Sequence, residues 1–424
     1  MSEAPRGCRI DLTEAHAEQI QHNTKLTEKM DRILLHRFWG FPIMILCFTL
    51  LFGLSFTLGK PVSSWIGLLL DHLAAAMENS AFGLVMPRLI MSLISDGVLR
   101  GIGSALAFFP QMLLFFTFYT LISDTGYSER IAYLMRQPMS RINMDRRAFA
   151  PLILGFSCNI PAIVSTHDIP NRVDRLIVML VTTFTPCSAR IGVILYIAGA
   201  FFSPAIATIV MSGLIILSWA VSALISYLIK SHYPAALETD SAVYRLPPYH
   251  WPEALTFVKS VLYRTLDFLR KITHVVILCA VIMWFLSSFP AGRPFENSYA
   301  AMIGKTLAPF GYLVGLNWKM IVALLFGFFA KESTLSTLGV LYHASEGLGN
   351  LGSILAHNIS PLVGLTFLVI YMFYIPCAAT VSTIRKESNS IWFAVLSIVV
   401  SLSVALCLGM LVYNAGRLIL LLAD

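Results

Sequence analysis

The stretch GFSCNIPA, residues 155–162, places Cys158, Asn159 and the helix-breaking Pro161 inside an otherwise apolar segment of membrane length. Because an unpaired backbone group in lipid is costly, a broken helix persists in a membrane only where it faces protein or a polar cavity. Soft and polar side chains at such a break are typical of a substrate pathway. The stretch therefore predicts a transporter of a small solute, and the cysteine favours a metal as that solute.

The composition is that of a membrane protein. Of the 424 residues, 57% are hydrophobic and 12% are charged, whereas about 25% are charged in a typical soluble domain. Several runs reach the roughly 20 apolar residues that cross a bilayer. We predict an all-α polytopic integral membrane protein with about 8–10 hydrophobic segments, including two inverted repeats that contain broken-helix gate segments.

Most cationic residues lie in loops beside the apolar runs, and they give the chain a formal net charge of +7. Such a distribution is the ordinary positive-inside pattern of membrane proteins. No basic face with aromatic stacking groups is visible, so we expect no nucleic-acid partner. Residues 1–37 are polar and lack the apolar core of a signal peptide, so no cleavable leader is expected.

Apolar and polar stretches divide the chain into five regions. They are a polar cytoplasmic lead-in at 1–37, N-terminal spans with a basic loop at 38–147, a first gate repeat at 148–229, a connecting loop and span at 230–318, and a second gate repeat with the C-terminal span at 319–424. Clear spans are expected at 41–58, 101–122, 176–201, 205–229, 272–289, 361–384 and 391–415. Loops are expected at 124–147, 230–272, 290–317 and 343–360, and the softer stretch 82–94 is interpreted as interfacial or re-entrant.

The basic loops at 124–147 and 230–272 are both expected to be cytoplasmic, although three apolar segments separate them. A re-entrant hairpin at 148–166, broken near Asn159–Pro161, removes this conflict of parity. The second broken segment, 320–342, would then enter from the outside, because the loop that follows it has no Lys or Arg.

Two pairs of segments resemble each other within the chain. GFSCNIPAIVST at 155–166 matches GFFAKESTLSTL at 327–338, and FTPCSA at 184–189 matches YIPCAA at 374–379. Inverted repeats whose discontinuous helices meet at mid-membrane are a transporter signature. Pro186 and Pro376 each remove a backbone donor and free a carbonyl one turn earlier, and we expect such carbonyls to be available to a cation.

The side chains near these breaks predict a metal pathway. The candidate ligands are Cys158, Asn159, Cys187, Glu332 and Cys377, with Ser157, Ser188, Ser333 and Thr380 as weaker oxygen donors. Thiolate and carboxylate together suit Fe(II), Zn(II) or Mn(II) better than Mg(II) or Ca(II), which prefer oxygen ligands alone. A carboxylate at membrane depth is costly and usually functional. A local ion pair between Glu332 and Lys331 is disfavoured, because neighbouring positions on a helix do not face each other.

Other polar residues carry weaker signals. His167 and Asp168 follow the first break, where a helix-cap role is favoured over ion capture, and His343, Glu346 and His357 could collect metal on an outer loop or be merely solvated. Buried cysteine is more often a small hydrophobe than a ligand, and seven scattered cysteines do not predict a disulfide framework. No Walker motif, catalytic triad or metalloenzyme run is present, so we expect neither an enzyme nor a resident cofactor.

These motifs resemble the membrane domain of the ferrous iron transport protein B family. GFSCNIPAIVST, NRVDRL and FTPCSAR are similar to that family's first pair of gate segments, and GFFAKE, STLGVLY, YIPCAAT and IRKES to the second pair. Supporting matches are KMDRILLHRFWGFPI, DTGYSERIAYLM, LPPY and ENSY, so the resemblance extends from about residue 25 to the C-terminus. Pro186 and Gly192 depart from the family pattern, which has a serine and a proline at these places.

The resemblance implies Fe(II) uptake across the bacterial inner membrane, with Fe(II) as transported substrate. Cys158, Cys187 and Cys377 map onto gate cysteines, and Glu332 maps onto the glutamate of an Ala-Lys-Glu motif. The family normally begins with a GTP-binding domain and a helical spacer, whereas this sequence starts near the end of the spacer. We therefore expect a separate cytoplasmic GTPase in trans or transport on the ion gradient alone, and homo-oligomerisation remains open.

Two alternatives stay open from the sequence. The broken hairpins also look similar to nucleoside-type carriers, which would use Asn159, Glu332 and Ser/Thr groups for hydrogen bonds to a solute. The second alternative is a non-transporting membrane sensor that regulates a partner G protein.

Overall fold

The long apolar runs fold into helices because lipid leaves the backbone no other way to satisfy its hydrogen bonds. A computed structural model describes residues 31–36, 39–78, 91–141, 144–232, 249, 253–290, 295–342 and 348–423, and within them it contains no strand. Within these residues, five helical stretches are long and apolar enough to cross a membrane, namely Gly40–Leu70, Pro204–Ser231, Ala254–Ser288, Pro361–Ser388 and Ile391–Leu422, and the fourth is interrupted at residues 374–377. The prediction of an all-α multi-pass membrane protein is confirmed.

The N-terminal region consists of two long helices and two short ones. They are α1 (Gly40–Glu78), α2 (Arg100–Asp124), α3 (Tyr127–Leu134) and α4 (Arg136–Arg141), with a π-helical segment, Leu93–Leu99, before α2. The predicted end of α1 at residue 58 was wrong, because the helix continues through Pro61, whose carbonyl accepts the Ser64 hydroxyl at 2.9 Å. Gly59 explains the close packing of α1 on α2, since a Cβ there would lie 3.2 Å from the Gln111 Cα.

The first gate repeat contains five helices and two interruptions. The helices are α5 (Phe149–Gly155), α6 (Asn159–Ser165), α7 (Arg172–Thr182), α8 (Ser188–Phe201) and α9 (Pro204–His232). Residues 156–158 separate α5 from α6 and are called break 1, and residues 183–187 separate α7 from α8 and are called break 2.

Eight further helices follow along the described part of the chain. They are α10 (Ala254–Ser288), α11 (Tyr299–Tyr312), α12 (Trp318–Phe329), α13 (Ser333–Leu341), α14 (Leu348–Asn358), α15 (Pro361–Phe373), α16 (Ala378–Ser388) and α17 (Ile391–Ala423). Residues 330–332 form break 3 between α12 and α13, and residues 374–377 form break 4 between α15 and α16. Interruptions thus occur in all four predicted segments, while the inverted relation of the repeats and the five-region division stay predictions.

Break 1 lies a few residues before its predicted position. Asn159–Pro161 does not interrupt a helix but forms the first turn of α6, which begins at Asn159. Pro161 is the third residue of that helix, where a missing amide hydrogen costs nothing because first-turn amides have no partner within the helix. The chain is instead interrupted at Phe156–Cys158, where Cys158 is extended with φ −156°.

Two kinds of interruption are present. In the hairpins, α5 packs against α6 and α12 packs against α13, so each chain segment folds back on itself. By contrast, α7 makes few contacts with α8, and α15 makes few contacts with α16. This is expected where a spanning helix is interrupted but continues in the same direction. The predicted hairpin at 148–166 is therefore present in the structure, and 320–342 forms the second one.

Several predicted loops are helical. Residues 124–147 contain α3 and α4, residues 254–271 belong to α10, and α11 and α14 lie in the other two. Charged residues led to the loop predictions, but long cationic side chains also lie on helices with their ends directed to polar surroundings.

In α11, the small residues Gly304 and Gly311 let the helix approach α12, where a Cβ at Gly304 would meet the Val322 side chain. The lead-in before residue 31, the stretch 82–90 and residues 343–347 lie outside the described residues.

Three distant motifs meet in one polar cluster beside the spans. The buried Arg130 guanidinium donates to Asp31 at 2.9 Å and lies 3.9 Å from the centre of the Tyr249 ring. The Tyr249 hydroxyl donates to the same carboxylate at 3.1 Å. The cluster therefore ties the lead-in and the connecting loop to α3.

The largest hydrophobic core among the described residues is built from both gate regions, and α15 lies at its centre. Phe367, Tyr371 and Phe373 of α15 are fully buried. The contact of α15 with α17 depends on Gly409, where a Cβ would lie 2.6 Å from Ile370 Cγ1.

Gly409→Val is therefore expected to lower the free energy of unfolding by about 1–3 kcal/mol, the usual range for overpacking a helix contact. Thermal unfolding of the detergent-solubilised protein measures the change. Gly213→Val is the matched control, because a Cβ at Gly213 on α9 meets nothing within 4 Å. Equal stability of the two variants would contradict this account of the core.

Candidate functional site

Each second half-helix begins directly after one of the predicted ligands. Cys158 is the N-cap of α6, Cys187 of α8, Glu332 of α13 and Cys377 of α16. The fifth predicted ligand, Asn159, is the first residue of α6. Each of the four breaks thus ends in a thiol or a carboxylate at the N-cap of the following helix. Aligning the two sequences does not reveal this equivalence, because Cys158 aligns with Ala330.

These four residues occupy N-cap positions that carry no ordinary side-chain cap. Three of the four first halves of the interrupted segments do start with ordinary caps, since Asn171, Asn317 and Ser360 each accept a hydrogen bond from a first-turn amide, whereas Ala148 before α5 supplies no cap. The side chains of Cys158, Cys187, Glu332 and Cys377 make no such cap bond. A good cap contributes about 1 kcal/mol to a helix. The second half-helices therefore lack the stabilisation of a side-chain cap at the N-cap positions that carry a thiol or a carboxylate.

The two breaks of the first repeat are joined directly. The carbonyl of Ser157 in break 1 accepts the backbone amide of Ser188 at 3.3 Å and its hydroxyl at 3.0 Å. Ser188 is the residue after Cys187, so this bond holds the starts of α6 and α8 together. These two serines, predicted as weak metal ligands, connect the breaks in the structure.

Arg190 joins the two repeats. Its guanidinium is fully buried and donates to the Thr183 carbonyl of break 2 and the Tyr374 carbonyl of break 4, both at 2.8 Å. A positive charge in the first turn of a helix opposes the helix dipole, so the side chain is directed away from α8 to carbonyl oxygens. The sequence analysis missed this residue, although a lone arginine near the start of an apolar segment is a recognisable signal.

Lys331 joins breaks 3 and 4. Its buried ammonium donates to the Ile375 carbonyl at 2.6 Å and lies 4.2 Å from the centre of the Tyr374 ring. The Tyr371 hydroxyl in turn donates to the Lys331 carbonyl at 2.8 Å. Lys331 therefore bonds to break 4 rather than to its neighbour Glu332, in agreement with the sequence argument against a local pair.

The carbonyls around Pro186 and Pro376 are engaged by the protein itself. Besides the bonds from Arg190 and Lys331, the Phe184 carbonyl accepts the Ser218 hydroxyl of α9 at 2.8 Å. Buried carbonyls require donors, and resident cations and a hydroxyl supply them here. The carbonyl one turn before Pro376, that of Met372, is not among those engaged, so the expectation that freed carbonyls are open to a cation stays a prediction.

The predicted side-chain ligands lie near one another without forming a closed site. Cys187, Cys377 and Glu332 all lie in the surroundings of the Cys158 thiol. The three cysteines are half-buried, and Glu332 is exposed. Within the described part of the chain, no three His, Cys, Asp or Glu side chains are close enough to hold a metal together. The ligand set therefore stays a prediction.

Polar groups beside the cysteines differ in their bonding. The Asn159 amide oxygen is buried and finds no hydrogen-bond partner among the described residues. Cys377 Sγ lies 3.0 Å from Thr380 Oγ1, which places the predicted weaker ligand Thr380 beside a thiol. Ser333 follows Glu332 as the first residue of α13 and accepts, through its carbonyl, the Thr337 hydroxyl at 2.7 Å.

A cavity of about 380 Å³ lies beside α6 and α16. Its lining includes Ile160 and Ala379, which lie two residues after Cys158 and Cys377. The charged lining residues are Asp168, Arg264, Asp267, Lys386 and Glu387. The cavity is therefore bordered by the first turns of α6 and α16 and by three carboxylates and two cationic groups, while the four N-cap ligands themselves are not part of its lining. His167 lies on the short helix Thr166–Asp168 and His357 on α14, apart from this lining, and His343 and Glu346 fall outside the described residues.

Comparison with known proteins gives one matching family. The family described as "Gate: Nucleoside recognition" matches residues 105–201 and 269–391. The first matched segment contains breaks 1 and 2, and the second contains breaks 3 and 4. No solved structure matches the chain.

Curated relatives are similar along nearly the whole chain. A Porphyromonas gingivalis protein named Fe(2+) transport protein A/Fe(2+) transporter FeoB fusion protein is 32% identical over 96% of this chain and 53% of its own length. Proteins named Fe(2+) transporter FeoB from Methanocaldococcus jannaschii and Staphylococcus aureus are each 31% identical, over 93% and 92% of this chain and 59% of their own lengths. The chain thus spans somewhat more than half the length of these relatives.

The predicted resemblance to the membrane portion of the ferrous iron transport protein B family is confirmed by these relatives. The family match covers more than half of the chain and includes all four breaks. The chain therefore belongs to the family of membrane proteins described as "Gate: Nucleoside recognition", and proteins named Fe(2+) transporter FeoB are its relatives.

Proposed function

We propose that the chain is a divalent-metal permease of the bacterial inner membrane that takes up Fe(II) through the region where the four breaks meet. One observation carries the proposal: Cys158, Cys187, Glu332 and Cys377 each occupy the N-cap position of a second half-helix, where the side chain makes no cap hydrogen bond. The names of the relatives support Fe(II) as the transported substrate.

The ligand chemistry favours a borderline transition metal. Three thiols and one carboxylate suit Fe(II) better than the hard cations Mg(II) and Ca(II). The positive ends of helix dipoles repel a bare cation but stabilise anionic side chains. A dication is therefore stabilised at the breaks only by thiolate and carboxylate ligands. Because these ligands must be deprotonated, binding of the dication releases thiol protons.

The cavity supplies the route between the breaks and one membrane face. We place its mouth near the lining residues Asp168, Lys386 and Glu387, at the ends of α6 and α16. Arg172, Arg175 and Arg385 lie on the same ends of the neighbouring helices, which by the positive-inside rule makes this the cytoplasmic face. The cavity is then the exit for metal that has passed the cysteines.

A membrane potential provides a driving force for uptake. Each charge gains about 2.3 kcal/mol per 100 mV, so a dication gains about twice that amount on entry.

The resemblance also implies two kinds of partner, a separate cytoplasmic GTPase acting in trans and further copies of the chain in a homo-oligomer. The relative fused to Fe(2+) transport protein A adds a further kind of partner domain.

Transport in proteoliposomes tests the proposal. The purified 424-residue chain is expected to admit Fe(II) to an indicator inside the vesicles, faster when the interior is negative. A panel of Fe(II), Mn(II), Zn(II), Co(II) and Mg(II) measures selectivity, and Mg(II) is expected to enter slowest. Metal binding without entry would instead indicate a sensor.

A nucleoside-type carrier is the second candidate, because the family description names nucleosides and the cavity has aromatic walls. Phe115, Phe116, Tyr119 and Phe268 line it, and stacking on such rings suits a nucleobase. Adding uridine or adenosine to the metal assay separates the two functions. Nucleoside entry without metal would favour the carrier.

Cys187→Ser is expected to stabilise the protein while slowing Fe(II) entry. Serine is a good N-cap, so the start of α8 should gain about 0.5–1 kcal/mol, whereas the soft ligand is lost. Thermal unfolding and the initial rate of entry measure the two effects. Cys407→Ser is the matched control, because Cys407 lies exposed within α17 and caps no helix. A variant that transports as fast as the parent protein would exclude Cys187 from the pathway.

A further inference from the structure

Break 4 contains two consecutive carbonyls that each accept a hydrogen bond from a buried basic side chain. The Tyr374 carbonyl accepts Arg190 at 2.8 Å, and the Ile375 carbonyl accepts Lys331 at 2.6 Å. In transporters with broken helices, the carbonyls of the unwound segments commonly coordinate a sodium ion or another coupling ion. Here the corresponding oxygens are bonded to groups that belong to the chain.

The surroundings of the Lys331 ammonium have the chemistry of a cation site. One carbonyl accepts from it, and two aromatic faces lie near it, with ring centres 4.2 Å away for Tyr374 and 5.5 Å away for Tyr371. Carbonyl oxygens and aromatic faces both attract positive charge. We call these three groups the Lys331 seat.

Arg190 completes the arrangement from the other repeat. Its guanidinium is permanently charged and bridges the carbonyls of Thr183 and Tyr374, one from each repeat. A soluble ion between two breaks would make the same bridge but could leave. A tethered cation holds the two breaks together at all times.

We propose that Lys331 and Arg190 are tethered cations that replace a soluble coupling ion at the broken-helix carbonyls, so that the pathway needs no sodium or other monovalent cation. The inference extends the proposed transport function, because it names the residues that hold the breaks while the metal passes the thiols. Its test measures protein stability, and it can therefore fail or succeed independently of Fe(II) transport.

The test removes the tethered charge and offers a soluble replacement. The full-length Lys331→Ala protein is melted in detergent at equal ionic strength in choline, sodium, potassium or methylammonium chloride. In choline its Tm is expected to be about 5 °C below that of the parent protein. Methylammonium should restore at least half of the loss, because it presents the same donor group to the Ile375 carbonyl and the two rings.

Matched variants make the outcome specific. Lys319→Ala is the control, since Lys319 also donates to a helix-terminal carbonyl, that of Leu341 at 2.8 Å, beside the Tyr342 ring but away from the breaks. Neither it nor the parent protein should distinguish methylammonium from choline. Lys331→Met, which has a similar length without the charge, repeats the measurement if the alanine variant does not fold.

Two results would overturn the proposal. One is a Lys331→Ala or Lys331→Met protein that melts at the same temperature in choline and in methylammonium. The other is a parent protein that methylammonium or sodium stabilises as strongly as it does the variants, because the seat would then be open to a soluble ion.

Discussion

Replacing Arg190 by methionine is expected to lower the free energy of unfolding by about 3 kcal/mol or more, because two buried carbonyls lose charge-assisted hydrogen bonds. These are the carbonyls of Thr183 and Tyr374, which lie in breaks 2 and 4. Thermal unfolding in detergent measures the loss. Fe(II) entry should fall with it, since nothing else in the described structure bridges these two carbonyls.

Arg190→Lys separates the effect of charge from that of geometry. A lysine keeps the positive charge but has no planar fork to reach both carbonyls, so an intermediate loss of stability is expected. Arg417→Met is the control, because Arg417 is exposed near the end of α17. If Arg190→Met is as stable as the control, the bridge does not hold the repeats together.

The combined Cys158→Ser and Glu332→Gln variant is expected to abolish measurable Fe(II) entry. Loss of one ligand or its support typically costs about 10–100-fold in metal affinity or activity, and two losses at one site compound. The initial rate of entry into proteoliposomes measures the effect. The variant should melt no lower than the parent protein, because neither side chain makes a cap bond to its own helix and serine at position 158 can supply one.

The control for this variant uses the same substitutions elsewhere. Cys407→Ser and Glu253→Gln change an exposed cysteine on α17 and the N-cap of α10, both remote from the breaks. This protein is expected to transport like the parent. Unchanged entry in the Cys158→Ser and Glu332→Gln protein would remove both residues from the mechanism.

The interruptions could be predicted from the sequence because lipid penalises them so strongly. Cysteine, proline and charge inside apolar segments are rare enough to mark breaks 1 to 4 individually. Their limits were harder to predict. Pro161 was taken as the interruption, yet a proline in the first turn of a helix is harmless, and only the extended Cys158 shows where the chain departs from the helix.

Helices outside the spans were underestimated for a different reason. Charged residues such as Lys259 and Arg264 suggested a loop, but they belong to α10, where Arg264 lines the cavity. Hydropathy detects lipid exposure and not helicity, so a helix that extends beyond the membrane or lines a polar cavity looks like a loop.

The arrangement between the breaks could not be predicted from the sequence. The bonds from Arg190 to Tyr374 and from Lys331 to Ile375 join residues 184 and 44 positions apart. Local patterns contain no information on which carbonyl a buried cation will reach. The equivalence of Cys158 and Glu332 as N-caps could not be predicted either. It depends on the residues at which α6 and α13 begin, and the aligned sequences do not show those residues.

X-ray absorption at the iron edge tests the central claim most directly. The account predicts sulfur in the first coordination shell of Fe(II) bound to the intact chain, and a shell of oxygen and nitrogen alone when Cys158, Cys187 and Cys377 are all replaced by serine. Fe(II) without sulfur in the parent protein, or with an unchanged sulfur shell after the three replacements, would contradict it.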